Sequence, residues 1–144
     1  MKKIRIVLPM IFLLLITVKS QSQESLYKRL GGYDAIAAVT DDFLGRLLAN
    51  KDMSRFFVGT SDDSKTKIRQ HVIDFICKGA GGPCAYTGRS MKDAHKGLKI
   101  SEADWNIAGG LLLETLKKFN VPKKETDELM AVVTSLKMDI VETK

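Results

Sequence analysis

Cysteine and histidine are scarce in this chain, which has two of each among its 144 residues. They are Cys77, Cys84, His71 and His95, and their spacing matches no paired zinc motif, which argues against a structural zinc site. If the chain is exported, the two cysteines could form one disulfide. Internal repeats, low-complexity runs and strand signals are also missing, so repeat architectures and β-rich folds are not indicated.

The longest apolar run lies at the start of the chain. A basic head at 2–5 precedes an almost unbroken apolar stretch at 6–18, and small and polar residues follow at 20–22. This order is typical of a secretory signal peptide, and the stretch is short for a membrane span. We expect cleavage of residues 1–22, which leaves a mature chain of 23–144 in the periplasm, not embedded in the membrane. An uncleaved anchor is the alternative.

The leader also carries most of the positive charge. The whole chain has a net charge of +6, and residues 1–22 contain Lys2, Lys3, Arg5 and Lys19 but no acid, so the mature chain is only +2. A nucleic-acid partner requires clustered basic residues on the domain itself, and none is indicated. The roughly 120 residues that remain suffice for one domain with a single core.

Apolar residues recur at helical spacing through the mature chain, and glycine-rich segments interrupt them at 31–32 and 79–82. Ser101 and Asp104 form the S-x-x-D capping pattern that opens a helix. The most informative apolar stripe, at i, i+3, i+4, i+7 and i+8, consists of Ile68, His71, Val72, Phe75 and Ile76. The pattern predicts an all-α domain.

Both histidines lie on such stripes, His71 in the long one and His95 four residues after Met91 in a shorter helix. Burying two imidazoles without a purpose is costly. A bare metal ion needs more ligands, whereas haem needs one or two axial nitrogens and apolar walls, because the porphyrin supplies four ligands. Attachment through Cys-x-x-Cys-His is excluded because that motif is missing. Two hydrogen-bonded core histidines explain the same spacing, so both interpretations stay open at this point.

The segment 75–95, FICKGAGGPCAYTGRSMKDAH, resembles the core of the group I truncated haemoglobins. Further matching pieces are LYKRLGG at 26–32, the pair Phe56-Phe57 and Val121-Pro122, so the resemblance covers essentially all of the mature chain. It implies a truncated-globin fold, a two-over-two helical sandwich around haem b.

The resemblance also implies roles for individual residues. His95 matches the proximal iron ligand, and Phe57 matches the phenylalanine that packs on the haem face. Met91 and Tyr86 match residues near the proximal side. Lys67 falls at the pocket rim, where a cation can reach a haem propionate, although a solvated surface lysine is the alternative. The other matching pocket positions are Phe75, Ile76 and Trp105.

The distal side departs from the family's commonest pattern. Leu44 stands where a tyrosine usually binds oxygen, and Val72 and Ile68 stand at positions that are usually polar. His71, in contrast, matches a histidine that binds the iron from the distal side in some cyanobacterial members. The resemblance therefore implies a pocket without the usual oxygen network, in which His71 can close the iron to gases.

We expect from this a haem protein that reversibly binds a diatomic ligand, oxygen or nitric oxide, with His71 gating access. One alternative is a bis-histidine electron-transfer protein, and another is a metal-free helical module that binds an apolar partner. Activity of the nitric oxide dioxygenase type, or redox activity, would require a reductase or electron donor that the sequence does not identify. No dedicated catalytic residue stands out. Asp41 and Asp42 are neighbours on a helix, point apart, and are expected at the surface.

Overall fold

A computed structural model describes residues 24–142, and the expected leader at 1–22 lies outside that range. Every regular element between 24 and 142 is helical, as predicted. None of these helices is both long enough and apolar enough to cross a membrane. The helices are α1 (Leu26–Arg29), α2 (Gly32–Ala49), α3 (Asp62–Gly79), α4 (Met91–His95), α5 (Glu102–Lys118), α6 (Lys123–Thr134) and α7 (Lys137–Ile140), with a 3₁₀ turn at Ser54–Phe57.

Serine side chains cap four of these helices. Ser25, Ser61, Ser90 and Ser101 each accept a hydrogen bond from the backbone N–H three residues later. Such a cap contributes about 1 kcal/mol because it satisfies a donor that the first turn leaves free. At Ser101 the carboxylate of Asp104 also accepts the Ser101 N–H, which confirms the predicted capping pattern.

The core consists of two adjoining clusters. α2 packs against both α3 and α5, and α1 packs against α2 and α6. The side chains of Tyr27 and Ile76 contact both clusters. The first cluster contains Leu26, Ala80, Leu112, Leu116 and Leu129, and the second contains Ile36, Ile73 and Cys77. This arrangement is the predicted two-over-two fold.

A carboxylate, Asp42, links α2 to α5. It accepts hydrogen bonds from Arg46 Nε at 2.6 Å, from Thr115 Oγ1 at 3.0 Å and from the Lys118 ammonium. These donors, Arg46 foremost, hold the pKa of Asp42 well below its usual value. The prediction of a surface position for Asp42 is therefore wrong, because only 14% of its side chain is exposed. Asp41 is half exposed and pairs with Arg69.

Candidate functional site

His95 is the last residue of α4 and is half-buried. Its Nδ1 lies 2.8 Å from the backbone carbonyl oxygen of Met91, one turn earlier. A carbonyl oxygen only accepts, so Nδ1 must carry the proton. In the neutral ring, Nε2 then has a free lone pair, which is the tautomer a metal ion requires.

The chain turns sharply after His95. The backbone N–H of Leu98 donates to the His95 carbonyl at 3.1 Å, Lys96 has φ −56° and ψ 128°, and Gly97 has φ +85°. These are the angles of a type II turn, which needs positive φ at its third position and therefore favours glycine there. α4 consequently cannot continue beyond the histidine, and His95 stands at a fixed helix end.

Helix α3 carries the other histidine, His71. Ile68, His71, Val72 and Phe75 are all half-buried, so the predicted stripe is present. Nδ1 of His71 is buried, and none of the residues at 24–142 gives it a hydrogen-bond partner. An unpaired buried polar atom costs roughly 1–3 kcal/mol, so a ligand that engages this imidazole would be favoured.

The ring of Tyr86 packs edge-on against two side chains of α3. Its centroid lies 5.9 Å from that of His71 and 5.2 Å from that of Phe75. The resemblance places Tyr86 near the proximal side, and in the structure its ring packs against α3, the helix that carries His71. Its contact with a cofactor stays a prediction.

A disulfide between Cys77 and Cys84 holds the loop that carries Tyr86 beside α3. The bridge joins α3 to the loop two residues before Tyr86, with the two α-carbons 5.8 Å apart. Gly82 makes the close approach possible, because a β-carbon there would lie 2.7 Å from Cys77 Sγ and 2.8 Å from the Cys77 carbonyl oxygen. The loop is therefore drawn onto α3, and Tyr86 with it.

An ion pair joins two elements that carry predicted cofactor contacts, the 3₁₀ turn with Phe57 and α5 with Trp105. Arg55, in the 3₁₀ turn that carries Phe57, donates to Asp104 at 2.6 Å, directly before Trp105 in α5. Hydrogen bonds from Ser101 and from Arg55 lower the pKa of Asp104, so the pair stays charged. Phe57 and Trp105 are half-buried, as is Met91 on α4.

Lys67 and Ile76, which are also predicted to contact the cofactor, each have partners within the protein. Lys67 forms an ion pair with Asp63 at 2.9 Å, and 70% of its side chain is exposed. To bind a haem propionate, Lys67 would have to give up its ion pair with Asp63. Ile76 packs against both core clusters. For both residues, contact with a cofactor stays a prediction.

This donor set fits haem better than a bare metal ion. Between 24 and 142, no three histidine, cysteine or carboxylate side chains converge as metal ligands. One imidazole, His95, has the tautomer that leaves Nε2 free, and a second, His71, has a buried nitrogen without a partner. The side chains that the resemblance places beside the cofactor, Phe57, Met91 and Trp105, are apolar and half-buried. Such side chains suit a porphyrin, because it brings four ligands of its own.

Sequence reasoning missed the residues that support these histidines. The carboxylate of Glu142 binds the backbone of the turn after His95, and Arg55 braces the 3₁₀ turn. Their partners are 40 or more residues away in the sequence, so no local pattern signals them. The contact between Tyr86 and His71 depends on the disulfide, whose formation the sequence leaves open.

Comparison with known proteins gives a consistent result. The family model described as bacterial-like globin matches residues 25–142. A group 1 truncated hemoglobin of Mycolicibacterium paratuberculosis is 31% identical over 116 residues, covering 81% of this chain and 83% of that protein. A group 1 truncated hemoglobin of a Synechocystis species is 33% identical over 112 residues, covering 75% and 88%.

Solved structures show the same likeness. The chain superposes on the truncated hemoglobin of Tetrahymena pyriformis in the Fe(III) form with a TM-score of 0.76 and 28% identity, covering 83% of this chain and all of that one. For the 2/2 hemoglobin of a Synechococcus species, in the cyanomet state with covalently attached haem, the TM-score is 0.74 at 31% identity, covering 82% and 98%.

Proposed function

Because the chain belongs to the group I truncated haemoglobins, which bind haem b and diatomic gases, we propose that it is an exported member in which His95 holds the iron and His71 controls access. Oxygen or nitric oxide is the proposed ligand. A haem iron held by one protein nitrogen offers its opposite coordination position to such a molecule.

The hydrogen bond between His95 Nδ1 and the Met91 carbonyl carries the assignment of the ligand. It orients the ring, places the proton away from Nε2 and makes Nε2 a better donor to a metal. The type II turn fixes the helix end that bears this ring.

The proposed gate is His71. Leu44, Ile68 and Val72 are half-buried and cannot donate hydrogen bonds from their side chains. Within the described chain His71 is therefore the polar group on that apolar stripe, and its ring is held from one side by Tyr86. When haem is bound, the His71 imidazole would supply a second nitrogen ligand that excludes gas, and its movement away would admit gas.

Electron transfer is the second candidate, and it is supported by the Nδ1 atom of His71, which has no hydrogen-bond partner within 24–142 and leaves the ring available as a second ligand. Two imidazole ligands hold iron in both oxidation states with little rearrangement. If the protein binds gas, carbon monoxide should displace His71 from the iron at a measurable rate. If it carries electrons, both histidines should remain bound through reduction and oxidation. Export to the periplasm is proposed from the leader pattern at 1–22.

The test of the assignment replaces each histidine in turn. His95→Ala is expected to purify largely without haem, because the proximal nitrogen is lost. Added imidazole, which supplies a replacement nitrogen, is expected to restore haem binding. His71→Ala is the matched control and should keep its haem. Absorption spectra of the ferric, ferrous and carbon monoxide forms provide the measurement. Normal haem content and an unchanged spectrum in His95→Ala would remove the central claim.

A further inference from the structure

Glu142, which follows α7, holds the turn after His95. Its carboxylate accepts the backbone N–H of Gly97 through Oε1, and the N–H of Lys99 through Oε2 at 2.9 Å. Its own backbone N–H donates to the Ile100 carbonyl at 2.9 Å. A single residue thus satisfies three backbone groups within four consecutive positions.

The turn needs an outside partner. In a type II turn the N–H of the third residue, here Gly97, has no partner within the turn. Lys99 has φ +56°, a conformation that residues other than glycine and asparagine rarely adopt. Such backbone persists only where the surroundings hold it. The two carboxylate oxygens of Glu142 stabilise the turn by accepting a hydrogen bond from each of these amides.

α7 brings Glu142 to this place. α7 packs against α4, and its Lys137 forms an ion pair with Glu102 at the start of α5. α4 has only five residues, and a helix this short does not keep its orientation without contacts from elsewhere.

We propose that Glu142 is a positioning residue for His95: it fixes the end of α4 and so the direction in which Nε2 points. The proposal rests on His95 as the iron ligand. It assigns no contact between Glu142 and the cofactor, because its action passes through the backbone of Gly97 and Lys99.

The test compares Glu142→Ala and Glu142→Gln in haem-loaded protein that also carries His71→Leu, so that only His95 ligates. Haem transfer to an excess of a haem scavenger gives the dissociation rate, and resonance Raman spectroscopy of the ferrous protein gives the iron–histidine stretching frequency. We expect Glu142→Ala, which removes both charge-assisted hydrogen bonds, to lose haem roughly tenfold to a hundredfold faster, with a shifted frequency. Glu142→Gln should fall between, since its amide has one acceptor oxygen.

Glu102→Gln is the matched control, because it removes the ion pair of α7 and leaves the turn contacts in place. An equal effect of Glu102→Gln, or a wild-type rate and frequency in Glu142→Ala, would overturn the proposal. If Glu142→Ala does not fold, hydrogen exchange of the Gly97 and Lys99 amides in haem-loaded Glu142→Gln decides, because its one acceptor oxygen can serve only one of them. Faster exchange of either amide supports the proposal, and unchanged protection of both refutes it. Retention of haem by His95→Ala would refute the proposed function instead.

Discussion

Removal of the disulfide tests how the loop before α4 is held. Cys84→Ala is the cleaner perturbation, because Cys77 is fully buried and its thiol then remains as a small apolar side chain. The bridge spans a sequence separation of 7, and the chain-entropy model gives about 2.5 kcal/mol for a loop of this size. In a domain of roughly 120 residues that amounts to a fall of about 10 °C in the melting temperature.

Thermal unfolding followed by circular dichroism, with and without reductant, measures the effect. Oxidised wild type should melt highest, reduced wild type should approach Cys84→Ala, and the variant should not respond to reductant. The response of wild type to reductant separates the bridge from the packing of the Cys84 side chain. If oxidised wild type and Cys84→Ala melt together, the bridge either does not form or contributes nothing. We expect loss of the bridge to loosen the contact of Tyr86 with His71, so a change in the visible spectrum should accompany the shift.

Three further predictions concern ligand access, acid stability and export. His71→Leu should give five-coordinate ferrous haem and fast carbon monoxide binding in stopped-flow mixing, and an unchanged rate would show that His71 is not a gate. The lowered pKa of Asp42 means that its charged form stabilises the fold at neutral pH and that this contribution is lost as the pH falls below about 4. The melting temperature of Asp42→Asn should therefore depend less on pH between about pH 6 and pH 3 than that of wild type. Mass spectrometry of the exported protein should find a start near Gln21 or Gln23, and a retained Met1 would contradict cleavage.

Local patterns predicted the helices well because helix formation depends on nearest neighbours. The stripe with His71 and Phe75, the glycine break after α3 and the cap at Ser101 all involve residues within one or two turns of each other. The cap of α3 is equally local, since Ser61 accepts a hydrogen bond from the Ser64 backbone N–H three residues later.

Charge placement was harder to predict because it depends on contacts between distant segments. Asp42 looks like a surface carboxylate on its own helix, and its burial follows from Thr115 and Lys118, more than 70 residues later. The hydrogen bond from the Gly97 N–H to Glu142 joins residues that are 45 positions apart in the sequence. Neither can be found from spacing along one helix.

Because α4 is short, we expect haem to exchange without unfolding of the whole domain. Five residues, one serine cap and contacts from α7 hold His95, and α4 itself has no fully buried residue. Buried apolar side chains are instead found on α1, α2, α3, α5 and α6. Regions with few buried contacts open locally at a lower free energy than the whole domain. Haem should therefore leave and re-enter through an opening that exposes little surface and so responds weakly to denaturant, while the two core clusters stay closed.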